Sequence, residues 1–349
     1  MSRSDCVLDG HSLTIENVVR VAHDPASRIT LKPEARRALL ESRRLIDRAI
    51  ESGQTIYGIN TGFGKLANVR VPLDQLDQLQ TNLIRSHASG VGAPLPAPVV
   101  RAVMLLRANV LLRPTSGVRP ELVEALLALL NAGVLPVVPE QGSVGASGDL
   151  APLSHIGLAL MGEGQVLSSD GGTASAGNAL TKAGLTPFRF APKEGISFIN
   201  GTQAQTALLA LMVHDANVLW RTAVGAAAMS LEALRGTPAP LDQRIHQCRP
   251  HPGQTRAAAL MRELLRDSQI RESHRENDPR VQDAYSLRCA PQVMGAVADA
   301  ISFVEQTVVV ELNASTDNPL VFENGDVISG GNLSRNSAAS SSQGSGWSL

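Results

Sequence analysis

Aromatic residues are scarce in this sequence, 3% of 349 residues, with only two tyrosines and two tryptophans. A core built from it must therefore be packed with Leu, Val, Ile and Ala, and Ala and Leu favour helices because they lose little side-chain freedom there. Cysteine is equally sparse. Cys6, Cys248 and Cys289 are widely spaced and odd in number, which argues against a disulfide framework and for a reducing, cytoplasmic setting. An excess of one charge is missing too: the formal net charge is −1, so no bulk field favours nucleic acid or an anionic membrane as a partner. No uninterrupted apolar run reaches the roughly 20 residues of a spanning helix, and Met1-Ser-Arg-Ser-Asp-Cys6 lacks the apolar stretch of a secretory signal. His246 and His251 flank Cys248, but the spacing matches no common zinc pattern and no second cysteine is near, so no metal is expected. What is present is a hydrophobic content of 43% against 18% charged residues, enough for a sizeable core. The length suggests about two or three compact units.

Along the chain, residues 6–22 alternate loosely and then turn helical, which predicts a short hairpin before a helix. Amphipathic or apolar patterns predict helices over residues 33–52, 76–89, 97–112, 120–132 and 150–161. In the first of these, Pro33 suits the first helical position and Gly53 a terminal cap. Val134-Leu-Pro-Val-Val-Pro139 is extended because of its prolines, and residues 162–178 read as loop or hairpin. A long, nearly all-apolar helix is expected over 202–235 and another over 291–313, as in a buried bundle. Residues 262–280 read as a solvated, charged connection.

Four segments interrupt this apolar, helical texture with glycine and polar residues: Tyr57-Gly-Ile-Asn-Thr-Gly-Phe-Gly64, Gly142-Ser-Val-Gly-Ala-Ser-Gly-Asp149, Phe198-Ile-Asn-Gly-Thr-Gln203 and Val281-Gln-Asp-Ala-Tyr-Ser-Leu-Arg288. Both tyrosines fall inside them. The second segment is no phosphate loop, since no Gly-Lys-Ser/Thr follows. It is no nucleophile elbow either, because its second glycine comes one place early. On spacing alone it fits a tight turn before a helix. Its composition also permits another chemistry. The backbone nitrogen of Gly148 can attack the carbonyl carbon of Ala146, and loss of water closes a five-membered ring. Loss of the Ser147 hydroxyl as a second water then leaves an exocyclic methylidene. Small residues suit so compressed an approach, and a helix starting near Leu150 would point free N–H groups at the ring.

Gly142-Ser-Val-Gly-Ala-Ser-Gly-Asp-Leu-Ala-Pro-Leu-Ser-His155 resembles the cofactor-forming segment of the aromatic amino acid ammonia-lyases. The other three segments resemble that family's remaining active-site blocks in the same order, as does Asn313-Ala-Ser-Thr-Asp-Asn-Pro-Leu320. The resemblance runs from about Leu8 to about Asn332. It implies a mainly α fold, a long-helix bundle of the fumarase and ammonia-lyase kind with a smaller mixed N-terminal part. Residues 1–195 would carry the cofactor-forming loop and 196–332 the central bundle. It implies 4-methylidene-imidazol-5-one formed autocatalytically from Ala146, Ser147 and Gly148, with no metal and no external cofactor. It also implies a homotetramer acting on a small amino acid.

Residue by residue, the resemblance makes Tyr57 the base that takes the substrate's β-proton and Tyr285 a second phenol beside the ring. Asn200 and Gln282 become hydrogen-bond partners of cofactor and substrate, and Arg288 the fork for the substrate carboxylate. Read singly, Arg288 also fits a surface ion pair and Asn200 a helix cap. His87, in Arg85-Ser-His-Ala-Ser-Gly-Val-Gly92, falls where the family sets ring selectivity, and its serine-histidine pair resembles the histidine-specific branch. A histidine there can hydrogen-bond an imidazole or a phenol but offers little to a plain phenyl ring. Tyrosine- or phenylalanine-directed lyases and aminomutases are the alternative enzymes, and an inactive assembly partner the alternative outside catalysis. After Asn332 the family pattern stops, and residues 333–349 read as an unstructured Ser-rich tail with the texture of a truncation.

Overall fold

The computed structural model describes residues 5–52, 55–62, 69–144, 147–168 and 170–333. Described residues of one unit fall within Met1–Leu211 and Val308–Ser340, those of the other within Met212–Thr307. The chain is mainly α, as composition and family resemblance led us to expect.

The first unit begins with β1 (Cys6–Leu8), α1 (Ile15–His23) and β2 (Ile29–Leu31). β1 and β2 pair in parallel, Cys6 against Ile29 and Leu8 against Leu31. The expected hairpin is therefore replaced by a strand–helix–strand crossover, because parallel neighbours need a long return connection and α1 provides it. Thr14 and Asn17 cap α1 reciprocally, each side chain accepting from the other's backbone N–H.

Six helices follow: α2 (Pro33–Glu51), α3 (Leu76–His87), α4 (Ala97–Leu111), α5 (Pro120–Asn131), α6 (Leu150–Leu160) and α7 (Ala176–Lys182); the short α8 (Glu194–Ile199) completes the set. α4 is buried continuously from Val99 to Leu111 and packs on α1, α5 and α8. Each of its fully buried Leu and Val side chains stabilises the unit by roughly 1.5–3 kcal/mol. The same helix carries Arg101, Arg107 and Asn109 into the interior. β3 (Val91–Pro94) pairs antiparallel with β4 (Pro139–Gln141). β5 (Gln165–Leu167) and β6 (Thr173–Ser175) form the hairpin expected between 162 and 178. β7 (Leu320–Val321) and β8 (Val327–Ile328) close the unit, with Val321 packed in one cluster with Ile46 and Ile59.

α9 (Gln203–Ala233) starts in the first unit and continues into the second, where α10 (Gln243–Gln247), α11 (Pro252–Leu264), α12 (Gln269–Glu272), α13 (Tyr285–Arg288) and α14 (Ala290–Glu311) follow. Trp220, Val224, Leu231, Met261 and Ala298 share its core. The Trp220 indole donates to Met294 O at 2.8 Å, and the Arg256 guanidinium lies 4.7 Å over its ring.

By length and composition, Glu194–Ala233 and Ala290–Glu311 are apolar enough to cross a membrane. Charges such as Asp299 and Glu305 interrupt the apolar run of the second. The most apolar window of the first is 72% buried inside the protein, against 17% for the second. Core burial explains the first; the second leaves a long apolar surface open.

Candidate active site

The Gly142–Asp149 loop runs into α6, but Asp149 does not cap that helix with its side chain. One carboxylate oxygen instead accepts from the backbone N–H groups of Ala204 and Gln205, 3.0 and 3.1 Å away in the first turn of α9, and the other accepts from Ser143 Oγ at 2.6 Å. Anionic groups are stabilised at a helix N-terminus, where N–H groups lack intrahelical partners. The backbone N–H of Asp149 donates to Gly201 O at 2.7 Å. The turn before α6 is thus sewn to the α8–α9 junction.

Ser147 and Gly148 lie within this seam, with φ of 62° and 94°. Two successive left-handed residues fold the backbone tightly, a conformation that disfavours a side chain. A Cβ on Gly148 would sit 2.5 Å from Gly201 O and 2.6 Å from Gly201 N, so glycine is required there by contact as well as by dihedral angle. Asn200 Nδ2 donates to Ser147 O at 2.9 Å. Ser147, Gly148 and Asn200 are therefore brought together. Ala146, the remaining member of the triplet singled out in the sequence, lies outside the described residues. The residues present fit a group made from their own backbone: a compressed turn, a bare Gly148, a carbonyl held by an amide donor and a helix starting immediately after.

Tyr57 is half-buried in a turn whose neighbours are firmly held. Ile56 N–H donates to Asn60 Oδ1 at 2.8 Å, Val71 N–H donates to Asn60 O, and Ile59 is fully buried. Gly58, with φ of 74°, lies close to Pro319 and Ile196, so the Asn313–Leu320 block supports the tyrosine turn. The end of that glycine-rich segment, Phe63 and Gly64, is outside the described set.

His87 is the last residue of α3. Its Nδ1 lies 2.9 Å from Leu83 O and 3.0 Å from Ser86 Oγ. A carbonyl can only accept, so the proton of the neutral ring sits on Nδ1 and Nε2 keeps a lone pair. The chain after His87 is held twice over: β3 pairs with β4, and Gly90 N–H donates to His155 Nε2 at 3.1 Å. Burial pushes His155 below its ordinary value, consistent with an imidazole that accepts this bond.

The second unit holds the remaining expected residues. Gln282 is exposed, and Tyr285, at the start of α13, is 74% exposed. The Arg288 guanidinium lies 4.6 Å over the Tyr285 ring while its Nε donates to Asp283 O at 2.9 Å. Asp283, buried, accepts from Thr237 N–H at 2.5 Å. Arg288 and Tyr285 form one stacked pair, and neither has a surface carboxylate partner among the described residues.

Sequence reading passed over Asp149 as a site residue, and also Gly201, Gln203 and Arg107. For Arg107 a signal existed: an arginine in the middle of Val103-Met-Leu-Leu-Arg-Ala-Asn-Val-Leu111 cannot lie in an apolar helix without a buried polar partner. Among the described residues no three His, Cys, Asp or Glu side chains group as a metal site requires. His246 instead contacts Pro240 O and Gln254.

The model of aromatic amino acid lyases matches residues 13–345. The chain is 49% identical over 327 residues to a histidine ammonia-lyase of Geobacillus thermodenitrificans, covering 94% of this chain and 64% of the relative. It is 50% identical over 335 residues to a histidine ammonia-lyase of Anaeromyxobacter sp. strain K, covering 94% and 66%. Among solved structures, the histidine ammonia-lyase of Trypanosoma cruzi superposes with a TM-score of 0.87 at 41% identity, over 97% of this chain and 63% of that one. A tyrosine aminomutase of Streptomyces globisporus superposes with 0.89 at 36% identity, over 97% and 67%. The chain thus spans just under two thirds of the length of the two relatives named. A match over nearly its whole length, in a chain whose Ser147–Gly148 turn is pinned against Asn200 and Gly201, places this chain in the aromatic amino acid lyase family.

Proposed function

We propose that this chain contributes to the non-oxidative elimination of ammonia from L-histidine, giving urocanate. The observation that carries the reading is the compressed Ser147–Gly148 turn held by Asn200 and Gly201, in a sequence about half identical to histidine ammonia-lyases. The methylidene-imidazolone derived from Ala146, Ser147 and Gly148 supplies an electrophile that no ordinary side chain offers, making the amino group a competent leaving group.

The chain's own residues then divide the remaining work. Tyr57 removes the β-proton. Asn200 holds the Ser147 carbonyl so that the loop keeps its compressed geometry. His87 presents the lone pair of Nε2 to the N–H of the substrate imidazole, its other nitrogen being committed to Leu83 O. Arg288 binds the substrate carboxylate through its planar fork, and Gln282 and Tyr285 border the same substrate.

Gln282 and Tyr285 are exposed, as are Val293, Phe303, Val309 and Val310 along α14. An apolar surface of that extent marks an association site, which supports assembly with further copies as a homotetramer. Three free cysteines, Cys6, Cys248 and Cys289, agree with a cytoplasmic setting.

Intact-mass and peptide mass spectrometry test the foundation. The peptide containing Ser147 should lack two waters, and an unmodified mass would remove the reading. Product absorbance with histidine, tyrosine and phenylalanine tests the substrate; ammonia release from tyrosine but not histidine would overturn that assignment.

A further inference from the structure

Arg107 is fully buried in the middle of α4, and burial of an uncompensated guanidinium is costly. Its Nη1 donates to Asn200 O at 2.8 Å and also to Gln203 Oε1, while Nη2 donates to Ser197 O. Ser197 and Asn200 end α8, where the last carbonyls lack intrahelical partners. One guanidinium therefore satisfies two carbonyls ending α8 and the side chain that opens α9. Gln203 in turn donates to Thr316 Oγ1 at 2.8 Å. On the other side of the same junction, Asp149 accepts from Ala204 and Gln205.

A cation on the carbonyl end of α8 and an anion on the N–H end of α9 thus bracket the linker between them. That linker is the part of the chain that touches the ring-forming loop: Asn200 Nδ2 reaches Ser147 O, and Gly201 O accepts from Asp149 N–H. Gly201 has no room to relax toward the arginine, since a Cβ there would overlap Gln203 Oε1 and an Arg107 guanidinium nitrogen. Gly148 has no room to relax toward Gly201. Arg107 thus lies hard against Gly201, and Gly201 hard against Gly148.

We propose that Arg107 is a positioning residue for ring formation, anchoring the Asn200–Gly201 peptide beside Ser147–Gly148 so that the turn carrying the Gly148 nitrogen keeps its left-handed geometry. It touches neither substrate nor reacting atoms and acts through Asn200 and Gly201. Lysine cannot replace it, because a point-like ammonium on a flexible stem cannot bridge two carbonyls and an amide in one plane. Burial pulls the guanidinium down to about 10, with Asp317 and Asp149 opposing the shift, so Arg107 stays charged at neutral pH. The inference rests on the ring-forming reading of Ala146-Ser147-Gly148.

The test compares the full chain with R107K, R107M and a control, R101K, each purified identically. Arg101 lies on the same helix and is also buried, but its guanidinium holds Val21 O and Asp24 O at the end of α1. The readouts are the fraction of Ser147 peptide lacking two waters and the urea midpoint. We expect R107K to fold with a dehydrated fraction or rate of dehydration reduced roughly ten- to a hundredfold, since small misplacements of reacting groups cost about that much. R101K should lose similar stability and remain fully dehydrated. Parent-level dehydration in folded R107K or R107M overturns the inference. So does dehydration that falls in R101K and R107K in the same proportion to lost stability, which would mark a purely structural role. If R107M fails to fold, R107K decides. An undehydrated parent chain would instead overturn the ring reading, and this inference with it.

Discussion

Two regions carry the residues to which family resemblance assigns chemistry, and they differ in how far one chain completes them. Around Ser147 the described neighbours are committed: Asn200 is 4% exposed, the buried Asp149 carboxylate accepts from Ser143, Ala204 and Gln205, and Gly148 cannot accept a single carbon. Tyr285, by contrast, is 74% exposed, with the Arg288 guanidinium over its ring. The proposed ring closure is an intramolecular reaction of the backbone, so it needs a geometry that the same chain can impose alone. Binding a substrate needs walls on several sides, and an exposed helix of four residues provides one. The contrast sets a closely packed turn in the first unit against a largely open segment in the second.

The sharpest way to break this contrast is Gly148→Ala. A side chain at φ 94° costs about 1–3 kcal/mol in backbone strain alone, before the overlap with Gly201 O. Urea denaturation should show at least that loss, and mass spectrometry an unmodified Ser147. Asn200→Ala comes next. It strips the donor from the Ser147 carbonyl and should cost about 1–3 kcal/mol, with an incompletely dehydrated Ser147 peptide. A fully stable, fully dehydrated N200A chain would show that the linker does not hold the loop.

His155→Gln tests the support of the His87 loop with a smaller effect, about 0.5–1.5 kcal/mol at pH 7.5 for one hydrogen bond. Its pH dependence has a definite sign. The unfolded chain binds a proton at this histidine near pH 6.5, whereas burial keeps the folded ring neutral to lower pH. The stability contributed above about pH 6.5 is lost as pH falls below it. H155Q should flatten the acid side of the stability profile, leaving His246, shifted the same way by burial, to supply the residual slope. Tyr285→Phe should do least to this chain: stability within about 0.5 kcal/mol and an unchanged two-water loss, with the deficit appearing only as slower ammonia release by the assembled enzyme. A large stability loss in Y285F would erase the difference between the two regions.

Much of the fold was legible because helix periodicity and terminal signals are local. Pro33 opens α2, and the two long apolar stretches became α9 and α14 within a residue or two of expectation. The N-terminal strands were misread as a hairpin because nothing local distinguishes a strand that pairs with its neighbour from one that pairs across a helix, as Cys6 does with Ile29. Asp149 was visible as a letter in a motif, but its partners Ala204 and Gln205 lie more than fifty residues away.

The sequence by itself determined that a small-residue triplet able to cyclise precedes a helix, that the chain is helical, and that its polar segments follow the family's order. Composition, spacing and side-chain size suffice for the first two conclusions, and resemblance to the family supplies the third. Tertiary structure decided which of those segments meet. It showed that Gly148 is bare because Gly201 occupies the space, and that a buried arginine stands behind Gly201. It also showed that Tyr285 remains open to solvent. Contacts of that kind depend on packing between residues distant in the chain, which no local pattern encodes.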